Sequence, residues 1–149
     1  MSPEEFPADA LLSPAEVERI INDGLAMARH TSFSVQRIAP GVAELRYGYQ
    51  EWMLRPGGSI AGPVVMMATD TAMYAVVLAH TQGERMALTS DLTFHFLGRV
   101  KPGDFIVRAR LLKLGRRIAV CDVEIRDVTG ALVVHGAGSY ARPPAPTPA

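Results

Sequence analysis

A single cysteine, four scattered histidines and no excess of either charge set the first limits on this chain of 149 residues. Cys121 alone cannot form an intrachain disulfide and fits a reducing compartment. The histidines have no cysteine partners at zinc-ligand spacing, so no metal and no separate cofactor is expected. Fifteen basic residues against fifteen acidic ones give a formal charge of zero, which excludes bulk attraction to nucleic acid or to an anionic membrane. The start, Met1 to Pro7, is acidic and lacks a basic region followed by an apolar core, so no secretory signal is read there and a cytoplasmic location is expected. With 48% hydrophobic and 20% charged residues the chain reads as globular, and its length suits one domain. The lead over 1–12 is expected to be flexible, and the proline-rich tail over 143–149, which has no core-forming residues, to be disordered.

Long apolar runs are scarce too, and the one present dominates the sequence. Residues 61–79 are almost unbroken hydrophobic residues around a single carboxylate, Asp70. Pro63 suits the first turn of a helix and Gly83 its stop, so a helix over 61–80 is predicted. A bilayer would charge about 2.5 to 3.5 kcal/mol for the central Asp. A helix wrapped by protein is therefore the reading taken. Burying the carboxylate unpaired also costs several kcal/mol. Asp70 is thus a satisfied structural acid, a kink, or a catalytic group whose pKa its apolar neighbours Met66, Met67 and Met73 raise.

Around that helix the pattern is regular. Ser13-Pro14-Ala15-Glu16 reads as a capping box opening a helix to Arg29, with Val17, Ile20, Ile21, Leu25 and Ala28 on one face. Short strands follow over 34–39 and 42–49, joined at Pro40-Gly41. Past Gly83 come four long strands, over 86–97, 105–113, 118–126 and 131–140, separated by turn sequences such as Lys101-Pro-Gly-Asp104. Strict alternation in the first puts Leu88, Ser90, Leu92, Phe94 and Phe96 on one face and Thr89, Asp91, Thr93 and His95 on the other. The spacing predicts an antiparallel meander, hence an α+β architecture in which a curved sheet wraps the long helix. One sheet covers only part of a helix that is apolar all round, so a second subunit is expected to supply the rest.

In this order and spacing, Ile60-Ala-Gly-Pro63, Asp70-Thr-Ala72, Leu88 to Leu97, Lys101 to Asp104, Leu114-Gly-Arg116 and Asp127-Val-Thr-Gly130 resemble the hotdog-fold acyl-CoA thioesterases, in particular the phenylacetic-acid-pathway (PaaI-like) type. The resemblance covers roughly Gly41 to Tyr140. It implies hydrolysis of a small, medium or aromatic acyl-CoA by a homo-oligomer, a dimer or a dimer of dimers, with coenzyme A present only as part of the substrate. In that family a His-Gly-Gly segment opens the central helix and an acid nine residues beyond the His is base or nucleophile. Asp70 stands nine after Ala61, so the resemblance assigns Asp70 to the acid, the Gly62 amide to the oxyanion hole and Ala61 to the place of the His. It places Thr89 where a hydroxyl orients the attacking water, and Arg55 where a neutral amide or imidazole usually sits.

Elementary geometry bears on this assignment. Gly62 and Asp70 lie about 12 Å apart along one helix at 1.5 Å per residue, too far to serve one carbonyl. Two antiparallel copies across a dimer axis bring Gly62 of one chain to Asp70 of the other. Arg99, Arg116 and Arg117, at strand ends and turns, are candidates for coenzyme A phosphates or simply solvated cations, and Met66 and Met73 are candidates for the acyl wall or for core packing. Arg55 meets an anionic substrate group or pairs with Glu51, and Thr89 serves the site or only the strand. Because Ala61 cannot polarise a thioester, a non-catalytic acyl-CoA or small-ligand binding protein is the rival to the hydrolase. A hotdog hydratase or dehydratase is disfavoured, as no His lies near the helix start.

Overall fold

A computed structural model describes Phe6 and residues 11–144. The expected flexible lead and disordered tail fall largely outside these residues. Within them, Phe6 is buried and Leu12 donates its N–H to the Ala79 carbonyl at 3.2 Å.

The capping box forms as its sequence requires: Ser13 Oγ accepts from the Glu16 N–H at 3.2 Å and Glu16 accepts from the Ser13 N–H at 2.7 Å. It opens α1 (Pro14–Gly24), which buries Val17, Ile20 and Ile21. The helix ends earlier than Arg29. Gly24 weakens it, Leu25 turns extended, and a 3₁₀ segment (Ala26–His30) follows. Strands β1 (Ser32–Ala39) and β2 (Val42–Gly48) form a hairpin through Gly41, whose φ is +73°. The central helix α2 (Gly62–His80) matches the expected one to within a residue. It is the described helix that is long and apolar enough to span a bilayer, and here it is the buried centre of the fold.

Strands β3 (Leu88–Phe96), β4 (Phe105–Leu114), β5 (Ile118–Arg126) and β6 (Leu132–Ala141) complete one antiparallel sheet in the order β1-β2-β4-β5-β6-β3. The simple meander holds only for β4, β5 and β6. Tight turns join these: the Gly115 N–H bonds the Ile118 carbonyl and the Gly130 N–H the Asp127 carbonyl, each at 2.8 Å. Residues 97–104 are too long a link for a tight hairpin. They carry the chain from β3 at one edge to β4 beside β2, and β3 pairs with β6 instead.

Strict alternation in β3 is also corrected. Thr89 pairs with Tyr140 but Asp91 with Ser139, so the register slips by one at Ser90. The bulge turns Thr89 to the same face as Leu92 and Phe94, toward α2, while Asp91 points outward to accept from Ser139.

On the concave face the stacked rings of Phe33, Tyr47 and Phe105 and the buried Leu45, Val107, Leu111, Val123 and Ile125 pack against Val65, Ala72, Val76 and Leu78 of α2. What remains uncovered on α2 is a stripe running through Pro63, Met66, Met67, Asp70 and Tyr74. Asp70 stands in the middle of it.

At its other end α2 is fastened by His80. Its Nε2 accepts from the Gly41 N–H at 2.8 Å, which requires Nδ1 to carry the hydrogen and donate to the Val76 carbonyl at 2.7 Å. Burial pushes the His80 pKa below its ordinary value, with the Val76 contact opposing in part. The folded chain needs the neutral ring, so below about pH 6.5 the unfolded chain binds the extra proton and stability falls as pH falls. Urea unfolding between pH 8 and pH 5 should show this loss. In His80→Phe that limb should vanish, with a pH-independent cost of about 1 to 3 kcal/mol for the stranded Gly41 N–H.

Candidate active site

Two turns of α2 carry the candidate site. Met67, Asp70, Thr71 and Tyr74 recur at helical spacing and line one wall of a cavity of about 290 Å³. The opposite wall comes from Ala87, Leu88 and Thr89 at the start of β3, and Leu25 and Met27 close the top. The N-terminal segment therefore contributes directly to the cavity. Its volume is roughly twice the 150 Å³ in which an apolar protein cavity holds a benzene ring.

Asp70 is half-buried at the floor, not sealed in the core. Thr89 Oγ1 donates to Asp70 Oδ1 at 2.7 Å, and the Tyr140 hydroxyl lies 2.5 Å from the same oxygen and 3.0 Å from the Asp70 carbonyl oxygen. Burial, then the charge of Asp70, drives the Tyr140 pKa far up, so the phenol keeps its proton. Tyr140 was not among the residues suggested by the sequence. Its signal was the pairing partner of Thr89, which becomes visible only once β3 is known to lie beside β6.

The other candidates separate into three places. Met73 is fully buried, its methyl group packed on Gly138, and Met66 is exposed outside the cavity. Met73 is turned into the core and Met66 lies on the flank of the Asp70 stripe away from the cavity, and Met67 takes the position expected for them. At the N-terminus of α2 the cap residue Ala61 gives no side-chain hydrogen bond. The Ala61 N–H goes to the Met53 carbonyl at 2.8 Å, Pro63 has none, and the Val64 and Val65 N–H groups return to the Ala61 carbonyl. Among the described residues the Gly62 N–H meets no acceptor, which makes it an open amide of this corner. It shares a cleft of about 310 Å³ with Arg55, Arg99 and Phe96. Among the described residues Arg55 forms no ion pair with Glu51. Arg116 and Arg117 lie by the β4–β5 turn beside Arg142, which grips Glu84 at 2.8 Å and the Gly115 carbonyl at 2.6 Å.

Cys121 is buried and its thiol pKa is raised to about 12, which leaves it no role as a nucleophile. Among the described residues no group of three or more His, Cys, Asp or Glu side chains is placed to hold a metal ion.

A six-stranded antiparallel sheet packed on one long central helix defines the hotdog class. Residues 57–134 match the family model described as Thioesterase superfamily, and the chain belongs to that superfamily. A protein of Sulfurisphaera tokodaii named "Putative esterase" is 29% identical over 131 residues, covering 87% of this chain and 96% of its own. Among solved structures, a "putative thioesterase" of Silicibacter sp. TM1040 superposes with a TM-score of 0.81 at 32% identity, over 90% of this chain and 94% of that one. The PaaI protein of the Escherichia coli phenylacetic acid degradation operon has a TM-score of 0.77 at 20% identity, over 87% and 93%, and shares the fold.

Proposed function

We propose that the protein is an acyl-CoA thioesterase of the PaaI-like type, working in the cytoplasm on small, medium or aromatic acyl groups. The observation that carries this reading is Asp70, a carboxylate held by two hydroxyls at the floor of a mostly apolar cavity. A cavity of that size and lining suits an acyl group, and the carboxylate stands where a thioester carbonyl enters. Asp70 takes a proton from water while the water oxygen bonds to the carbonyl carbon. The carbonyl oxygen becomes an oxyanion, which the Gly62 amide at a helix N-terminus stabilises. As the carbonyl reforms the carbon–sulfur bond breaks and the thiolate takes up the proton, giving acid and thiol. The alternative in which Asp70 itself attacks the carbonyl uses the same geometry.

The strand β3 suggests how the two half-sites meet. It is an edge strand, and the exposed Leu88, Phe96 and Leu97 lie at its ends with Met66 nearby on the uncovered stripe of α2. An edge of this kind seeks a partner. Thr89 near one end touches Asp70, and Phe96 at the other end approaches Gly62, 3.7 Å from where a side chain there would begin. If β3 pairs antiparallel with its own copy, Thr89 of one chain lies beside Phe96 of the other. Asp70 then faces Gly62 of the partner subunit, with Arg55 and Arg99 at the rim for substrate phosphates. Arg116 and Arg117 offer further cations at the outer turn.

Ala61 favours one second reading. Without the imidazole found there in the family, the same pocket would bind an acyl-CoA and not turn it over.

A thiol-release assay across acetyl, octanoyl and aryl acyl-CoA separates the two. Turnover is expected in the wild type, a loss of about a hundredfold or more in Asp70→Asn, and a gain in Ala61→His. Tight binding with no release by wild type decides for the binder. Since each buried methylene is worth about 0.8 kcal/mol, Met27→Trp, which fills the cavity top, should cost octanoyl-CoA about tenfold in kcat/KM and leave acetyl-CoA within about twofold. Light scattering should report a dimer or tetramer at micromolar concentration. Phe96→Asp should shift it toward monomer and lower activity together, and a fully active monomer would sink the shared site.

A further inference from the structure

A carboxylate on a helix turns about two single bonds and its oxygens are equivalent until something distinguishes them. Here both donors reach the same one. Thr89 from β3 and Tyr140 from β6 meet at Asp70 Oδ1, and no hydrogen bond from the described residues reaches Oδ2. The Tyr140 ring is 3% exposed and lies nearly parallel to Tyr74, with ring centres 6.2 Å apart. Tyr74 is itself pinned by its hydroxyl, which donates to the Arg85 carbonyl at 3.0 Å. The phenol is thus a fixed point.

We propose that Tyr140 is a positioning residue for the reaction: with Thr89 it locks Asp70 Oδ1 and turns Oδ2 to the cavity as the single working oxygen. The inference rests on the hydrolase reading. Oδ2 accepts the proton of the attacking water as its oxygen bonds to the carbonyl carbon, and returns that proton to the departing thiolate as the carbon–sulfur bond breaks. Tyr140 transfers no proton, because burial and the adjacent negative charge hold it in the phenol form. Its hydrogen bond fixes which oxygen faces the cavity, so losing it should lower kcat while leaving substrate binding in place. The other titratable groups facing Asp70 are Tyr47 from β2, whose pKa burial raises to about 12, and, along the cavity, Tyr74 and Arg85. None of them donates to Oδ1.

Steady-state kinetics from pH 4 to 9 on wild type, Tyr140→Phe, Thr89→Val, the double variant and Asp70→Asn tests this. Tyr140→Phe should lower kcat about tenfold and leave KM within about twofold. The double variant should approach Asp70→Asn. Should Tyr140→Phe fold poorly, 3-fluorotyrosine at position 140, a donor of the same shape, should keep kcat within about twofold of wild type. Wild-type kcat in Tyr140→Phe, or a tenfold loss with the fluorinated phenol, beside a dead Asp70→Asn, would overturn the proposal and leave the hydrolase standing. No turnover by wild type would overturn both.

Discussion

The hold of Asp70 on two hydroxyls, one from each of the last two strands of the sheet, is the contact on which the rest of this structure turns. The long helix α2 is buried along most of its circumference by apolar contacts, which are non-directional and set neither its rotation nor its height on the sheet. Polar contacts at its start, middle and end supply that. Asp70 ties its middle to Thr89 and Tyr140, His80 ties its end to the β1–β2 turn, and the Ala61 N–H ties its start to the Met53 carbonyl. The same interaction that registers the helix therefore defines the floor of the cavity. Fold and candidate chemistry share one carboxylate.

The two faces of the sheet divide their work. The concave face holds the aromatic stack and the aliphatic layer. The convex face carries cross-strand charges: Glu44 between Arg37 and Arg108, and Asp122 between Arg110 and His135. Exposed pairs of this kind contribute on the order of 0 to 1 kcal/mol each. Cohesion comes from the concave side, and the alternating signs on the convex side keep a broad surface hydrated. Asp104 has a different use. It bonds the Tyr49 N–H at 2.8 Å and Arg46 at 2.7 Å, and these contacts hold its carboxyl below the usual range. The Lys101-Pro-Gly-Asp104 turn thus clamps the end of β2, where the chain leaves for the Gly62 corner.

Much of this was legible from residues alone. The capping box, the length of α2 and the strand tally follow from local chemistry, and Asp70 and Thr89 do come together. What was not legible depends on which strands are neighbours. Alternation in residues 86–97 says nothing of a bulge at Ser90, and turn spacing does not tell that β3 crosses to β6. Tyr140 is an ordinary aromatic at a strand end until that crossing is known. Met66 and Met73 were chosen as neighbours of Asp70 and lie on one flank of it around the helix, but the cavity opens on the other flank, where Met67 and Tyr74 stand.

The bulge at Ser90 makes the site a matter of counting. The strands on either side are held by pairs that tolerate many side chains, yet Thr89 reaches Asp70 only because one residue is left over between it and Asp91. A lineage that lost the Ser90 codon would keep Leu92, Phe94 and the Thr89 hydroxyl on the α2 side in a regular strand, whereas one that straightened the strand with Ser90 in place would turn Thr89 outward and Ser90 inward. Descent within such a scaffold can therefore change chemistry by register as readily as by substitution, and two chains nearly identical residue for residue can differ in which hydroxyl meets the carboxylate.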